Sequence, residues 1–196
     1  MAENRLTTSF KVVVIGGSAG SIEVLLKLLP ALSSPLSLAI VIVLHRKNST
    51  DSSLADLLSS RTLIPLHEVE DKDPVMPGTI YLAPADYHLL IEKEEVFSLD
   101  GSEKVNYSRP SLDVTFESAA DVYGSSLVGI LLSGANADGT AGLNLIKARG
   151  GVLIAQKPET AQTAFMPQHA IQHAPIDHVL SVEEMAVFIN SLSRAN

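Results

Sequence analysis

The chain has 196 residues, of which 46% are hydrophobic and 18% charged, and its formal net charge is −8. This composition is typical of a globular domain and excludes a disordered segment. Because the sequence contains no cysteine, disulfides, thiolate catalysis and zinc–thiolate sites are excluded, and a cytoplasmic location is favoured. The sequence shows no basic cluster of the kind that binds nucleic acid and no signal peptide. Its longest apolar run is too short to span a membrane.

The segment 11–21, KVVVIGGSAGS, predicts a strand, a tight glycine turn and a helix in succession. The β-branched run 12–15 is typical of a buried strand. The next apolar residues have the i, i+3, i+4, i+7 spacing of one helix face: Ile22, Leu25, Leu26 and Leu29. A serine in a G-x-S-x-G turn between strand and helix is held exposed at the edge of a sheet. Ser18 is therefore predicted to be the nucleophile of a hydrolase.

Strand-like and helix-like segments alternate along the rest of the chain. The predicted strands are 38–44, 63–69, 79–83, 87–91, 96–99, 127–132 and 152–155, with 84–86 as a turn. Four further helices are predicted. The first is capped by Asp51, the next two cover 110–123 and 138–149, and the last is opened by the capping box Ser181-x-x-Glu184. Continuous apolar strands joined by helices indicate a parallel sheet covered on both faces.

Three polar residues follow predicted strands at the edge where such sheets carry their active sites. Ser18 follows the first strand, His45 follows the second, and Asp138 lies in the loop after strand 127–132. Acyl transfer needs these groups, because the imidazole takes the serine proton and the carboxylate orients and stabilises the imidazolium. We predict that they form a catalytic triad.

Each of the three residues also has a simpler interpretation. Ser18 and Asp138 are suited to capping the helices that follow them, and His45 to bonding backbone at the end of its strand. The chain order also differs from that of serine α/β-hydrolases, whose histidine comes last. That order would require one of three later histidines as the base: His169, His173 or His178.

Nucleotide binding is a further alternative, because a glycine-rich turn before a helix can hold phosphate. The dinucleotide fingerprint requires glycine where Ser18 and Ser21 stand, and an acidic residue near the position of His45. The P-loop lysine is absent as well, so the sequence favours a hydrolase.

Seven motifs, in order, resemble the catalytic domain of the chemotaxis protein-glutamate methylesterases (CheB-type). They are VVIGGSAGS, IVIVLH, MPGTIYLAPADYHL, RPSLDVTFESAADVYG, GILLSGANADGTAGL, GGVLIAQ and MPQHAI. The resemblance implies an α/β fold of three layers, α/β/α, with a mostly parallel doubly wound sheet and a small β-hairpin portion. It implies one catalytic domain over residues 11–193 after a tail of residues 1–10.

The resemblance also implies an activity. The family removes methyl esters from glutamate side chains of methyl-accepting chemoreceptors and deamidates receptor glutamines. The expected partner is therefore the cytoplasmic helical bundle of such receptors, and neither a cofactor nor a metal is expected. The family's triad falls on Ser18, His45 and Asp138, and by analogy the backbone N–H groups of Ala19 and Ala135 form the oxyanion hole.

The chain departs from the family pattern near these residues. Ser21 and Phe165 stand where glycine is usual, Ala135-Asn136 replaces Met-Gly, and Leu44 replaces a frequent glutamine. These departures motivate two alternatives: a catalytically altered interaction module, or an esterase acting on a non-chemoreceptor substrate. Family members typically carry an N-terminal receiver domain, for which ten residues are too few, so we expect no control by phosphorylation in cis.

Overall fold

A computed structural model describes residues 9–46 and 53–194, and the predicted helix cap Asp51 lies outside them. The strands are β1 (Val12–Gly17), β2 (Ala39–Leu44), β3 (Leu66–Glu68), β4 (Ile80–Leu82), β5 (His88–Ile91), β6 (Phe97–Asp100), β7 (Leu127–Leu131), β8 (Val152–Gln156) and β9 (His178–Leu180). The helices are α1 (Ser21–Leu28), α2 (Ser53–Ser59), α3 (Leu112–Tyr123), α4 (Thr140–Ala148), α5 (Phe165–His173) and α6 (Val182–Arg194). In these ranges no helix is both long and apolar enough to cross a bilayer.

Seven strands form one parallel sheet in the order β3-β4-β2-β1-β7-β8-β9. The chain first adds strands on one side of β1 and then returns to add β7 to β9 on the other side. The sheet is therefore doubly wound, with its switch point between β1 and β7. Strands β5 and β6 pair antiparallel in a separate hairpin. The predicted fold class is confirmed.

Two hydrophobic cores cover the two faces of the sheet. Successive side chains of a strand point to opposite faces, so Val13 and Ile15 pack with α1 and α6, whereas Val12 and Val14 pack with α3, α4 and α5. All residues of β1, β2 and β7 are buried, as expected of strands covered on both faces. These packed layers fix the carboxyl ends of β1, β2 and β7 relative to one another.

The buried face of α1 matches the predicted one only in part, because Leu25 and Leu29 are buried but Ile22 is not. Val24, Leu25 and Leu28 are buried, whereas Ile22 is 40% exposed. The reason is Ser21, which opens the helix and whose buried Oγ donates to the carbonyl of Ser133 at 2.8 Å. This contact across the sheet edge sets the rotation of α1, so that the i, i+3, i+4, i+7 stripe begins at Ser21.

The turn 84–86 connects two strands that do not pair with each other. Strand β4 lies in the large sheet between β2 and β3, while β5 pairs with β6. The hairpin packs on α3, where Thr115 Oγ1 donates to the Leu89 carbonyl at 2.8 Å.

The capping box of α6 is confirmed by reciprocal bonds between Ser181 and Glu184.

Candidate active site

The glycine turn after β1 holds Ser18 at the carboxyl edge of the sheet. Gly20 adopts φ +83° and is the N-cap of α1, which has no side-chain cap. The backbone N–H of Ser18 donates to the Ser133 carbonyl at 2.9 Å and lies 3.2 Å from Ser21 Oγ. Ser18 is half-buried, and within the described ranges its hydroxyl makes no hydrogen bond. The helix-capping interpretation of Ser18 is therefore wrong.

Ser133 joins the nucleophile turn to the loop after β7. Its Oγ donates to the Ala19 carbonyl at 2.6 Å, and its N–H donates to Gln156 Oε1 at 2.9 Å. Both Ser133 and Gln156 are fully buried. These two residues were not predicted from the sequence, although each is a polar residue at the carboxyl end of an apolar strand, the same signal that selected His45.

His45 lies beside Ser18 because β2 pairs with β1 in parallel. The strand register places Leu44 opposite Gly17, and the His45 N–H donates to the Gly17 carbonyl at 3.1 Å. The imidazole Nε2 is 2.6 Å from Asp138 Oδ2, which leaves Nδ1 as the ring nitrogen available to a serine proton. The part of the chain that the structure describes shows no hydrogen bond between this ring and Ser18. Catalytic hydrogen bonds are often long before substrate binds, so the roles of these residues stay a prediction.

Asp138 is held by the start of α3 and not by its own helix. Its side chain is 0% exposed, and the N-cap of α4 is Gly139. Besides His45, its donors are Asn106 Nδ2 at 2.8 Å, Ser111 Oγ at 2.9 Å, Leu112 N at 2.7 Å and Asp113 N at 3.2 Å. A carboxylate is stabilised at a helix N-terminus by unpaired N–H groups and the helix dipole. The interpretation of Asp138 as the cap of α4 is therefore wrong.

Asp113 and Asp138 form a pair of carboxyls that Asn106 bridges. One Asn106 Nδ2 atom lies 2.8 Å from Asp138 Oδ1 and 2.8 Å from Asp113 Oδ2. Burial favours the neutral form of Asp138, but hydrogen bonds from His45, Asn106 and Leu112 outweigh it and lower the pKa of Asp138 to about 2. Burial and the neighbouring Asp138 raise the pKa of Asp113 to about 6. Asp138 therefore keeps its charge beside His45 at neutral pH.

The expected oxyanion donors lie in the two loops that meet at the switch point. A Cβ atom placed on Gly134 would lie 3.0 Å from Ser18 Cβ, so loop 134–138 runs directly beside the nucleophile. Within that loop Asn136 Oδ1 accepts the Asp138 N–H at 3.1 Å. The N–H groups of Ala19 and Ala135 donate to no acceptor in the described ranges. Their role as oxyanion donors stays a prediction.

None of the three later histidines forms a hydrogen bond with Ser18 in the described residues. His178 begins β9, at the amino edge of the parallel sheet and opposite to Ser18. His169 Nδ1 bonds Thr140 Oγ1 at 3.0 Å, and its ring stacks between Phe165 and His173 with centroid distances of 5.7 and 4.1 Å. Burial, together with the charge of the neighbouring imidazole, lowers the pKa of His169. His45 is therefore the better candidate for the base.

Comparison with known proteins gives concordant matches. The family model described as CheB methylesterase matches residues 13–189. A Leptospira interrogans (serovar copenhageni) protein named putative protein-glutamate methylesterase/protein-glutamine glutaminase is 42% identical over 96% of this chain and 97% of its own length. The Thermotoga maritima protein-glutamate methylesterase/protein-glutamine glutaminase is 37% identical over 88% of this chain, but the match covers only 51% of that protein. The crystal structure of the T. maritima CheB methylesterase catalytic domain matches with a TM-score of 0.89 and 36% identity, covering 94% of this chain and 99% of that domain.

Proposed function

Because this chain belongs to the CheB methylesterase family, we propose that it hydrolyses glutamate methyl esters of chemoreceptors, and deamidates receptor glutamines, through Ser18, His45 and Asp138. The observation that carries the proposal is the 2.6 Å contact between His45 and the buried Asp138. It stands next to a half-buried serine, at the edge of the sheet where such folds carry their active sites.

The proposed reaction is acyl transfer through a serine ester. The His45 Nδ1 takes the hydroxyl proton as Ser18 Oγ attacks the ester carbonyl, and the negative charge of Asp138 stabilises the imidazolium. The N–H groups of Ala19 and Ala135 bind the oxyanion, and one such donor is worth about 10²–10³ in rate. His45 returns the proton to the leaving methanol. It then activates a water molecule, which releases the glutamate carboxylate and frees the serine.

The proposed substrate-bearing partner is the cytoplasmic helical bundle of methyl-accepting chemoreceptors, with residues 11–193 as the catalytic domain and the cytoplasm as its location. The receptor and the cytoplasm are what the family resemblance of the sequence motifs implies, and the names of the relatives support activity on protein glutamate and glutamine. A receptor glutamine presents the same acyl group with ammonia as the leaving group, so one site serves both reactions.

Two residues that depart from the family pattern support an enzyme over an interaction module. Ser21 Oγ donates to the Ser133 carbonyl at 2.8 Å and so fixes the nucleophile turn. Asn136 Oδ1 accepts the Asp138 N–H and so shapes the loop of the expected oxyanion hole. Both substitutions therefore take part in the hydrogen bonds that order the site.

Methanol release from a methylated receptor fragment tests the proposal. We expect Ser18→Ala to lower kcat/KM by about 10³-fold or more, because it removes the nucleophile. Ser125→Ala is the matched control, since Ser125 is exposed in the turn before β7, at the opposite edge of the sheet. Equal rates for wild type and Ser18→Ala would contradict the proposal.

A further inference from the structure

A cavity of about 450 Å³ opens directly beside the proposed base. Its walls include His45, Arg46, Asp86, Lys104, Tyr107 and Arg109. Because His45 belongs both to this cavity and to the pair with Asp138, the cavity adjoins the proposed catalytic residues. The Tyr107 side chain is 97% exposed and forms part of the rim.

The two arginines of the cavity leave part of their hydrogen-bonding capacity unused. Arg46 donates through Nη2 to Glu68 and to the Ala83 carbonyl. Arg109 donates through Nη1 to two backbone carbonyls of the preceding loop. The Nε of each arginine is buried without a hydrogen-bond partner. A buried polar group without a partner often marks the place of a bound ligand or ion.

Arg109 leaves a complete edge of its guanidinium unpaired. With Nη1 bound to carbonyls, its Nε and Nη2 have no acceptor in the described ranges. These two N–H groups lie side by side, in the geometry that binds a carboxylate through both oxygens. Arg109 is thus anchored through Nη1 and leaves two donors unpaired on its other edge.

The charge of the cavity is positive although the chain is acidic. Arg46, Lys104 and Arg109 line it together with one carboxylate, Asp86. Outside the lining, Glu68 pairs with Arg46 and Asp100 lies near Arg109. Lys104 forms no ion pair within the ranges that the structure describes. In a chain with a net charge of −8, this local excess favours an anionic group next to the reacting ester.

We propose that this cavity is a carboxylate-binding subsite, in which Arg46, Lys104 and Arg109 hold a second acidic side chain of the segment that carries the ester. The inference rests on the proposed function, since it concerns the substrate of the same site. Guanidinium groups bind carboxylate and phosphate alike. The position beside His45 favours an anion on the same chain as the ester, and the glutamate carboxylate that the proposed reaction itself produces is such an anion.

Equilibrium binding to the inactive Ser18→Ala protein tests the subsite apart from catalysis. Two peptides are compared, each with one glutamate methyl ester, flanked by glutamate in one and by glutamine in the other. We expect the glutamate-flanked peptide to bind about tenfold more tightly at low salt. The preference should shrink as ionic strength rises, because salt screens partly exposed charges.

Adding Lys104→Gln or Arg46→Gln to the Ser18→Ala protein should bring the ratio of the two Kd values close to one. Lys93→Gln is the matched control, since Lys93 is an exposed lysine of the β5–β6 turn, outside this cavity, and should leave the ratio unchanged. Thermal melting of each variant checks that it is folded.

The outcomes separate the subsite from the reaction. Equal affinity for the two peptides, binding of neither peptide, or a preference that survives both cavity substitutions would overturn the subsite. Methanol release by wild type together with any of these would leave the proposed function standing. A preference that the cavity substitutions abolish, without methanol release, would support the subsite and contradict the methylesterase.

Discussion

Asp113 and Asp138 lie at the same helix terminus, yet their environments shift their pKa values in opposite directions. Asp138 receives hydrogen bonds on both oxygens and is lowered to a pKa of about 2, whereas burial and its charged neighbour raise the pKa of Asp113 to about 6. The helix terminus therefore stabilises one fixed negative charge. The second charge, on Asp113, destabilises the folded protein at neutral pH.

Asp113 predicts a specific pH dependence of stability. Its pKa is higher in the folded protein than its ordinary value of 3.8, so its stabilising effect is complete below pH 4 and is lost as pH rises through about 6. We expect the free energy of unfolding of wild type to fall by about 1 kcal/mol across this window relative to Asp113→Asn, allowing for partial exposure to solvent.

Urea unfolding at pH 4, 5, 6 and 7 measures this difference. Asp121→Asn, at the other end of α3, is the control and should keep the pH dependence of wild type. Asp138 acts with the opposite sign, because its lowered pKa means that its contribution is lost as pH falls from about 4 towards 2. Parallel curves for wild type and Asp113→Asn would contradict the assignment.

Asn106 is a positioning residue for the pair of carboxyls. It adopts φ +51°, which asparagine tolerates better than most residues, and its amide separates two negative groups. Asn106→Gly keeps this backbone conformation and removes the bridge. We expect kcat/KM to fall about 10- to 100-fold, since a hydrogen bond to a charged group is lost.

Methanol release, followed across pH, measures the effect of Asn106→Gly. The loss should grow as pH rises through 6, where Asp113 gains its charge and repels Asp138. Lys72→Gly is the control, because Lys72 also has a positive φ, of 71°, but is exposed away from the site. A uniform loss at every pH would indicate a purely structural role for Asn106.

Hydrogen bonds join the loops at the carboxyl ends of β1 and β7 into one unit, which we call the platform. Ser133 bonds the nucleophile turn, Thr163 and Gln156, so three loops are tied together at the switch point. Gly20 combines a positive φ with close packing in this platform. A Cβ there would lie 2.7 Å from Gln162 Cβ and 2.8 Å from Ser133 Oγ.

Gly20→Ala is therefore expected to lower the free energy of unfolding by about 2 kcal/mol or more, from the positive φ and the overlap together. Urea denaturation provides the measurement. Gly101→Ala is the control, since its φ is not positive and the nearest atom to its Cβ would be 3.7 Å away. A Gly20→Ala protein as stable as wild type would show that the turn does not need this conformation.

Sequence patterns predicted some features of this platform and not others. The rule that the carboxyl ends of parallel strands share one edge predicted which residues meet there, and the structure places His45 against Asp138 as that rule requires. The rotation of α1 was predicted only in part: Leu25 and Leu29 are buried, but the helix also buries Ser21, which bonds a residue 112 positions away. Helix periodicity carries no information about such a partner.

For the whole molecule, the fold class follows from the apolar strands, but the environment of the proposed triad does not. Asn106 and Asp113 reach Asp138 only because the hairpin and α3 pack on the face of the sheet that carries α4. Neither residue follows a strand of the large sheet, so the rule that active sites lie at the carboxyl ends of the strands does not select them. The motif RPSLDV contains Asp113, but the contact of Asp113 with Asp138 depends on tertiary packing.

We propose that Ser18, His45 and Asp138 act as one unit, and the rate of Ser18 modification by an uncharged serine-reactive phosphonate tests this most directly. Intact-mass and peptide mass spectrometry locate the adduct and follow its formation. We expect a single adduct on Ser18 in wild type, formed about 10²-fold or more slowly in His45→Gln and Asp138→Asn, because the base is lost or held in the wrong tautomer. An adduct on another residue, or equal rates in the three proteins, would contradict the account.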